Sequence, residues 1–153
     1  MEIEKKYLLT ARPEILDEAE KVAVKQGYLV TEDGELRIRQ KGEQYFMTVK
    51  GDGTLSREEW EVVIPAWVFA TLWSKTDGRQ ISKTRYAIDY QGLTLEIDEY
   101  YGALQGLYTL ECEFASEDAA NAFVLPNWAN EATDVTSNKA YKNKALAVNG
   151  RPN

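Results

Sequence analysis

The sequence predicts an α+β fold: a closed, roughly eight-stranded antiparallel β-barrel (a tunnel) with a charged interior and helices packed outside. Two observations predict it. Charged and apolar residues alternate with a period of two in one segment after another. Successive side chains of a strand point to opposite faces, so each such segment carries one charged and one apolar face. Most of these segments are also joined by short Gly- and Asp-bearing turns, which favour hairpins and therefore antiparallel neighbours. The charges are expected on the inward face and the apolar residues on the outward one, the inverse of an ordinary small barrel, so the apolar face needs a cover.

The elements follow in order. Residues 1–9 form a strand in which Glu2, Glu4 and Lys6 alternate with Ile3, Lys5 and Tyr7. Pro13 to about Gln26 reads as an amphipathic helix, with Ile15, Ala19, Val22 and Ala23 as its apolar stripe and Gly27 as its stop. Tyr28–Thr31 and Glu35–Gln40 form a hairpin around Glu32-Asp33-Gly34. Tyr45–Lys50 follows the Lys41-Gly42-Glu43 turn, and Gly51-Asp52-Gly53 leads to a strand over Ser56–Ile64. Pro65 starts a short helix to about Lys75, with Pro at the first helical position; Trp67 and Trp73 are assigned to its buried side. Gln80–Asp89 and Leu93–Tyr100 are strands about the Gln91-Gly92 turn, and Leu107–Phe114 is the last. Ser116-Glu117-Asp118 marks a helix start, Pro126 breaks the chain, and Asn138–Val148 reads as a final helix. Nothing divides residues 1–153, which form a single domain.

Composition narrows the chemistry. Charged residues make up 28% and hydrophobic ones 44%, a globular balance. The opening residues run straight into a charged strand and no apolar run approaches a membrane span, so a soluble, cytoplasmic protein is expected. A net charge of −7 argues against a nucleic-acid surface. There is no histidine, which removes Ser-His-Asp and Cys-His nucleophiles and His-ligated zinc. The single Cys112, at an apolar strand position, is a small core residue and no part of a thiolate cluster. A metal bound here is a hard ion with oxygen ligands, Mg²⁺ or Mn²⁺.

On the charged face the cations are Lys6, Arg37, Arg39, Lys50, Arg57, Lys83 and Arg85, the candidates for holding a polyanion. Lys5 points the other way. The carboxylates chosen as metal ligands are Glu2, Glu4, Glu111 and Glu113, because the first and last strands adjoin in a closed barrel. Glu59, Glu61, Glu96 and Asp98 are second choices, equally suited to partnering the cations.

These segments resemble the triphosphate tunnel metalloenzymes, the CYTH superfamily. The resemblance rests on Glu2-Ile3-Glu4-Lys5-Lys6, Arg37-Ile38-Arg39, Thr48-Val49-Lys50 and Arg57-Glu58-Glu59-Trp60-Glu61. It continues through Lys83-Thr84-Arg85-Tyr86, Leu95-Glu96-Ile97-Asp98 and Leu110-Glu111-Cys112-Glu113-Phe114. Together they cover nearly the whole chain. The length and the ending Tyr141-Lys142-Asn143-Lys144-Ala145-Leu146 are similar to the small bacterial members that hydrolyse inorganic tripolyphosphate. The resemblance implies Mg²⁺- or Mn²⁺-dependent attack by water on a linear triphosphate inside the tunnel. It implies Tyr28 as proton acceptor, with Lys50 as the second catalytic candidate, and a last helix that can close a tunnel mouth. Family alternatives are thiamine or nucleoside triphosphatase and class IV adenylate cyclase; from another class, a polyphosphate-binding module without turnover. The expected partner is a small-molecule triphosphate, with a homodimer left open; neither nucleic acid nor membrane is expected.

Overall fold

The computed structural model describes residues 3–51 and 59–152. Its strands are β1 (Ile3–Leu8), β2 (Glu20–Leu29), β3 (Glu35–Lys41), β4 (Gln44–Lys50), β5 (Glu59–Val63), β6 (Gln80–Tyr90), β7 (Leu93–Tyr100), β8 (Tyr108–Phe114) and β9 (Thr133–Asp134). The α-helices are α1 (Ala66–Trp73), α2 (Glu117–Ala122) and α3 (Asn143–Asn149). One nine-stranded sheet runs β5-β4-β3-β2-β6-β7-β8-β1-β9, and every pairing is antiparallel. Among the described residues no pairing joins β5 to β1 or β9, so the ladder is open there. The strand expected from Ser56 begins outside the described residues, as does the Asp52-Gly53 turn.

Register carries the period-two pattern across the sheet. Opposed residues of antiparallel strands share a face. Glu4 stands opposite Glu113, Lys6 opposite Glu111, and Glu111 opposite Glu96. Arg85 stands opposite Asp98, Tyr28 opposite Arg37, Arg37 opposite Thr48, and Lys50 opposite both Glu35 and Glu59. The charged residues therefore form one continuous face from β1 to β5.

The other face builds two cores. Tyr7, Tyr86, Leu95, Ile97, Leu110, Cys112 and Phe114 are covered by Leu16, Ala120, Phe123 and Ala129. Ile38, Met47, Val62 and Ile64 are covered by α1 through Phe69 and Leu72. Ser116 caps α2 as expected, its Oγ accepting from the Ala119 N–H at 3.0 Å.

Several sequence-based expectations are corrected by the structure. The helix over Pro13–Gln26 is a single 3₁₀ turn (Glu14–Glu18) followed by β2. Val22 and Val24 are β-branched and two apart, and they share a face with Gln26 and Tyr28. The strand is hydrogen-bonded on both sides, to β3 and β6, and these ladders outweigh weak helical propensity. Gly27 lies within that strand because Thr76 packs onto it: a Cβ there would stand 2.5 Å from Thr76 Oγ1. Trp67 is 71% exposed, since α1 buries only the side that carries Phe69. Not every helix lies outside the sheet. The final segment is a 3₁₀ turn (Lys139–Tyr141) followed by α3, and Leu146 of α3 is buried against Ile81, Tyr100 and Leu8 of the charged face. Tyr100 Oη donates to Asn143 Oδ1 at 2.8 Å and fixes the start of α3.

Leu146→Ala should cost about 2–5 kcal/mol, the range for emptying a buried leucine site. Urea denaturation measures it, and α3 should lose protection from hydrogen exchange before the sheet does.

Candidate active site

Between the charged face and the C-terminal segment lies a cavity of about 900 Å³. Its walls differ in sign. On one side β3 and β4 contribute Glu35, Arg37, Arg39 and Lys50; the C-terminal segment, which packs over the sheet, adds Lys139, Lys142 and Lys144. On the other, β1, β7 and β8 contribute Glu4, Glu96, Glu111 and Glu113. Lys6 and Arg85 lie among the carboxylates: Lys6 Nζ is 3.4 Å from Glu111, and Arg85 is 3.4 Å from Glu96 and 3.8 Å from Glu111. Tyr28 is the one aromatic residue among the described lining.

Beneath this surface a buried cluster holds Arg85. Asp98 Oδ1 and Oδ2 accept from Arg85 Nε at 2.8 Å and Nη2 at 2.9 Å, a bidentate pair. Asp98 Oδ2 also accepts from Lys83 Nζ at 2.8 Å, and Lys83 and Asp98 are each 1% exposed. Burial alone would raise the Asp98 carboxyl, but Lys83 and Arg85 reverse that and hold it well below the usual carboxylate range. Lys83 and Asp98 thus lie behind the cavity wall rather than on it.

The cationic wall is only loosely neutralised. Lys50 Nζ is 3.9 Å from Glu35 and 3.8 Å from Glu59. Arg37 is 3.8 Å from Glu61, whose Oε2 accepts from Thr48 Oγ1 at 2.8 Å. Among the described residues, the Nε atoms of Arg37 and Arg39 are buried without a hydrogen-bond partner. Burial, then the like charges of Arg37 and Arg85, lower the Arg39 guanidinium from its ordinary value. Such a wall suits an anion with many acceptor oxygens.

The acidic wall shows the converse stress. Partial burial, then the neighbouring charges of Glu111 and Glu113, push the Glu4 carboxyl up to about 7 against the opposing pull of Lys6 and Arg85. Among the described residues no three carboxylates are already gathered to hold an ion. Carboxylates that repel one another at a hydrated cavity fit a hard divalent cation that takes one or two of them and fills its shell with water and ligand oxygens.

The sequence-derived candidates distribute as follows. Lys6, Tyr28, Arg37, Arg39, Lys50, Arg85, Glu4, Glu96, Glu111 and Glu113 line the cavity. Glu59 and Glu61 lie beyond it, their side chains 57% and 43% exposed. Glu2 and Arg57 lie outside the described residues. Glu35, Thr136 and Lys139 line the cavity and were not among the candidates. Glu35 alternates with Arg37 and Arg39, which was a readable signal; Thr136 and Lys139 follow no strand pattern. Tyr28 is 2% exposed; burial raises its phenol above the ordinary value, while Arg37 and a hydrogen bond from Gln26 pull it down. It therefore stands in the cavity as a neutral hydrogen-bonding group.

The match to known proteins is with a family model described as the CYTH domain, over residues 1–140. The chain belongs to the CYTH family. An inorganic triphosphatase from Nitrosomonas europaea is 47% identical over 150 residues, covering 96% of this chain and 97% of the relative. A second inorganic triphosphatase, from Acetivibrio thermocellus, is 33% identical over 154 residues, covering 97% and 94%. A crystal structure of an inorganic triphosphatase superposes with a TM-score of 0.78 at 44% identity, covering 97% of this chain and 95% of that one. No helix among the described residues is long and apolar enough to cross a membrane.

Asp98→Asn should destabilise the CYTH chain by about 3–5 kcal/mol near neutral pH, because it leaves Lys83 and Arg85 buried without their carboxylate. The sign follows from the depressed Asp98 value. Its contribution is complete above the ordinary carboxylate pKa of about 4 and is lost as pH falls through the folded value. Denaturation at pH 7 and at pH 3 should show the gap between wild type and variant narrowing in acid.

Proposed function

We propose that this CYTH protein hydrolyses inorganic tripolyphosphate, with a divalent metal ion, in the cavity between its charged face and C-terminal segment. The observation that carries the reading is the split of that cavity into a cationic wall and an acidic wall, bridged by Lys6 and Arg85. The two relatives named inorganic triphosphatase support it. Closure of the sheet into a tunnel around the substrate is part of the reading, supported by the continuity of the charged face from β1 to β5.

Each residue has a task. Arg37, Arg39 and Lys50 bind phosphate oxygens before reaction and need little reorganisation as charge builds on the chain. Lys139, Lys142 and Lys144 of the C-terminal segment add to the cationic lining. Arg85, locked by Asp98, presents its remaining donors at the border with the carboxylates. Glu4, Glu111 and Glu113 would hold Mg²⁺ or Mn²⁺, with Glu96 adjacent and Glu2 as the further ligand the sequence suggests. Such an ion, when bound, neutralises phosphate charge and acidifies water. In the overall step water adds to a terminal phosphorus and the bridging P–O bond breaks, giving orthophosphate and diphosphate. Tyr28, kept neutral by burial, donates a hydrogen bond to the phosphate chain; to act as the proton acceptor that the resemblance implies it would first have to lose its own proton, which the neighbouring Arg37 favours and burial opposes.

Phosphate release from tripolyphosphate should require added Mg²⁺ or Mn²⁺ and cease in excess chelator. Arg39→Ala, Lys50→Ala and Arg85→Ala should each lower kcat/KM by at least about tenfold, roughly 1.4 kcal/mol of transition-state stabilisation. Lys5→Ala, whose Nζ instead donates to the Ala120 carbonyl at 2.9 Å, should leave turnover near wild type. Equal losses at Lys5 and Lys50 would overturn the assignment.

Substrate choice follows from the same lining. With no aromatic clamp among the described residues, a naked triphosphate should exceed ATP in kcat/KM by at least about tenfold. Steady-state rates on both substrates with saturating Mg²⁺ check this. An equal or higher rate on ATP, or cyclic AMP as the main product, would favour the nucleotide reading.

A further inference from the structure

Gln26 is a polar residue that the cavity does not expose and that neither core requires. It is fully buried, at 0% exposure, between Arg39 of β3 and Ile81 of β6. It does not line the cavity, yet it sits two residues before Tyr28 on the same face of β2. Its Nε2 donates to Tyr28 Oη at 2.9 Å. Among the described residues, its Oε1 is buried and accepts nothing.

That arrangement is costly for a merely structural residue. A buried amide with an unfilled acceptor carries an uncompensated desolvation penalty, and an apolar side chain would occupy the same place without one. What the amide supplies is a directed donor. A phenol oxygen that accepts from Nε2 has that lone pair engaged, so its own O–H must point elsewhere. Tyr28 lines the cavity and Gln26 does not.

We propose that Gln26 is a positioning residue: by donating to Tyr28 Oη from behind the cavity wall, it fixes the phenol so that its O–H faces the bound phosphate chain. This rests on the triphosphatase reading of the site. The charged groups that face Tyr28 are Arg37, Arg39 and Glu35 of β3. Lys50 and the lysines of the C-terminal segment line the same cavity, so Gln26 is the neutral group that sets the phenol's direction within a charged field. The Arg79 Nε donates to the Tyr28 carbonyl at 2.9 Å and fixes the backbone, while Gln26 and Arg37 both act on the hydroxyl, Gln26 as its neutral donor.

The test is a double-mutant cycle with a spectroscopic readout. Gln26→Leu removes the donor; Gln26→Glu keeps the shape and, ionised, can only accept. Each is combined with Tyr28→Phe, and folding is checked by thermal denaturation. With tripolyphosphate and Mg²⁺, Gln26→Leu should lower kcat about tenfold with KM within about twofold. In the Tyr28→Phe background it should cause no further loss. The ¹³Cζ resonance of Tyr28, assigned by its disappearance in Tyr28→Phe, should move in both Gln26 variants at neutral pH. Should Gln26→Leu fail to fold, Gln26→Glu carries the same cycle. Equal proportional losses in both backgrounds, or a Tyr28 resonance that neither substitution moves, would overturn the positioning role alone. A wild-type protein that releases no phosphate from tripolyphosphate would overturn the reading of the site, and this role with it.

Discussion

The bidentate grip of Asp98 on Arg85, with Lys83 behind it, is the contact on which the rest of the charged face depends. The cavity brings cations and carboxylates together at low solvent exposure, where unpaired charge is expensive. Asp98 offsets two buried cations at once and is itself held ionised by them. Arg85 can then reach Glu96 and Glu111 without swinging free, which ties β6 to β7 and β8 through side chains as well as through the ladder. Remove that anchor and the border between the acidic and cationic walls has no fixed position.

The opposite face makes the charged one affordable. Two apolar cores, one under α2 and the Leu16 turn and one under α1, supply the burial that the charged face of the sheet cannot. The third cluster, Leu146 against Ile81 and Tyr100, lies on the charged side and seats the C-terminal segment there. Its position brings Lys139, Lys142 and Lys144 to the cavity, while Lys6 Nζ donates to the Tyr141 carbonyl at 2.5 Å. Fold stability and the charge of the site are coupled at this one seam.

Much of this was readable in the sequence because a strand writes its two faces in alternation. Glu4/Lys6, Arg37/Arg39, Lys83/Arg85, Glu96/Asp98 and Glu111/Glu113 all fall on the charged face, as the period of two requires. The pairing of first and last long strands also holds, with Glu4 opposite Glu113. β2 was misread because Ile15, Ala19, Val22 and Ala23 have helical spacing, and only pairing on both edges decides for strand. Alternation reports the face but not the depth, so Lys83 and Asp98 looked the same as Arg85 and Glu96. The cations of the C-terminal segment carry no periodic signal toward the cavity; they arrive there because Leu146 docks. Trp67 is apolar on a short helix that has a single buried side, and composition does not tell which side that is.

The central claim is that the cationic wall is built to take a polyanion. Calorimetric titration of the chelator-treated protein with tripolyphosphate tests it directly, since binding is read apart from turnover. One saturable equivalent should bind, weakened by salt and by Arg39→Ala but not by Lys5→Ala. Affinity unchanged by Arg39→Ala, or no binding at low ionic strength, would contradict it.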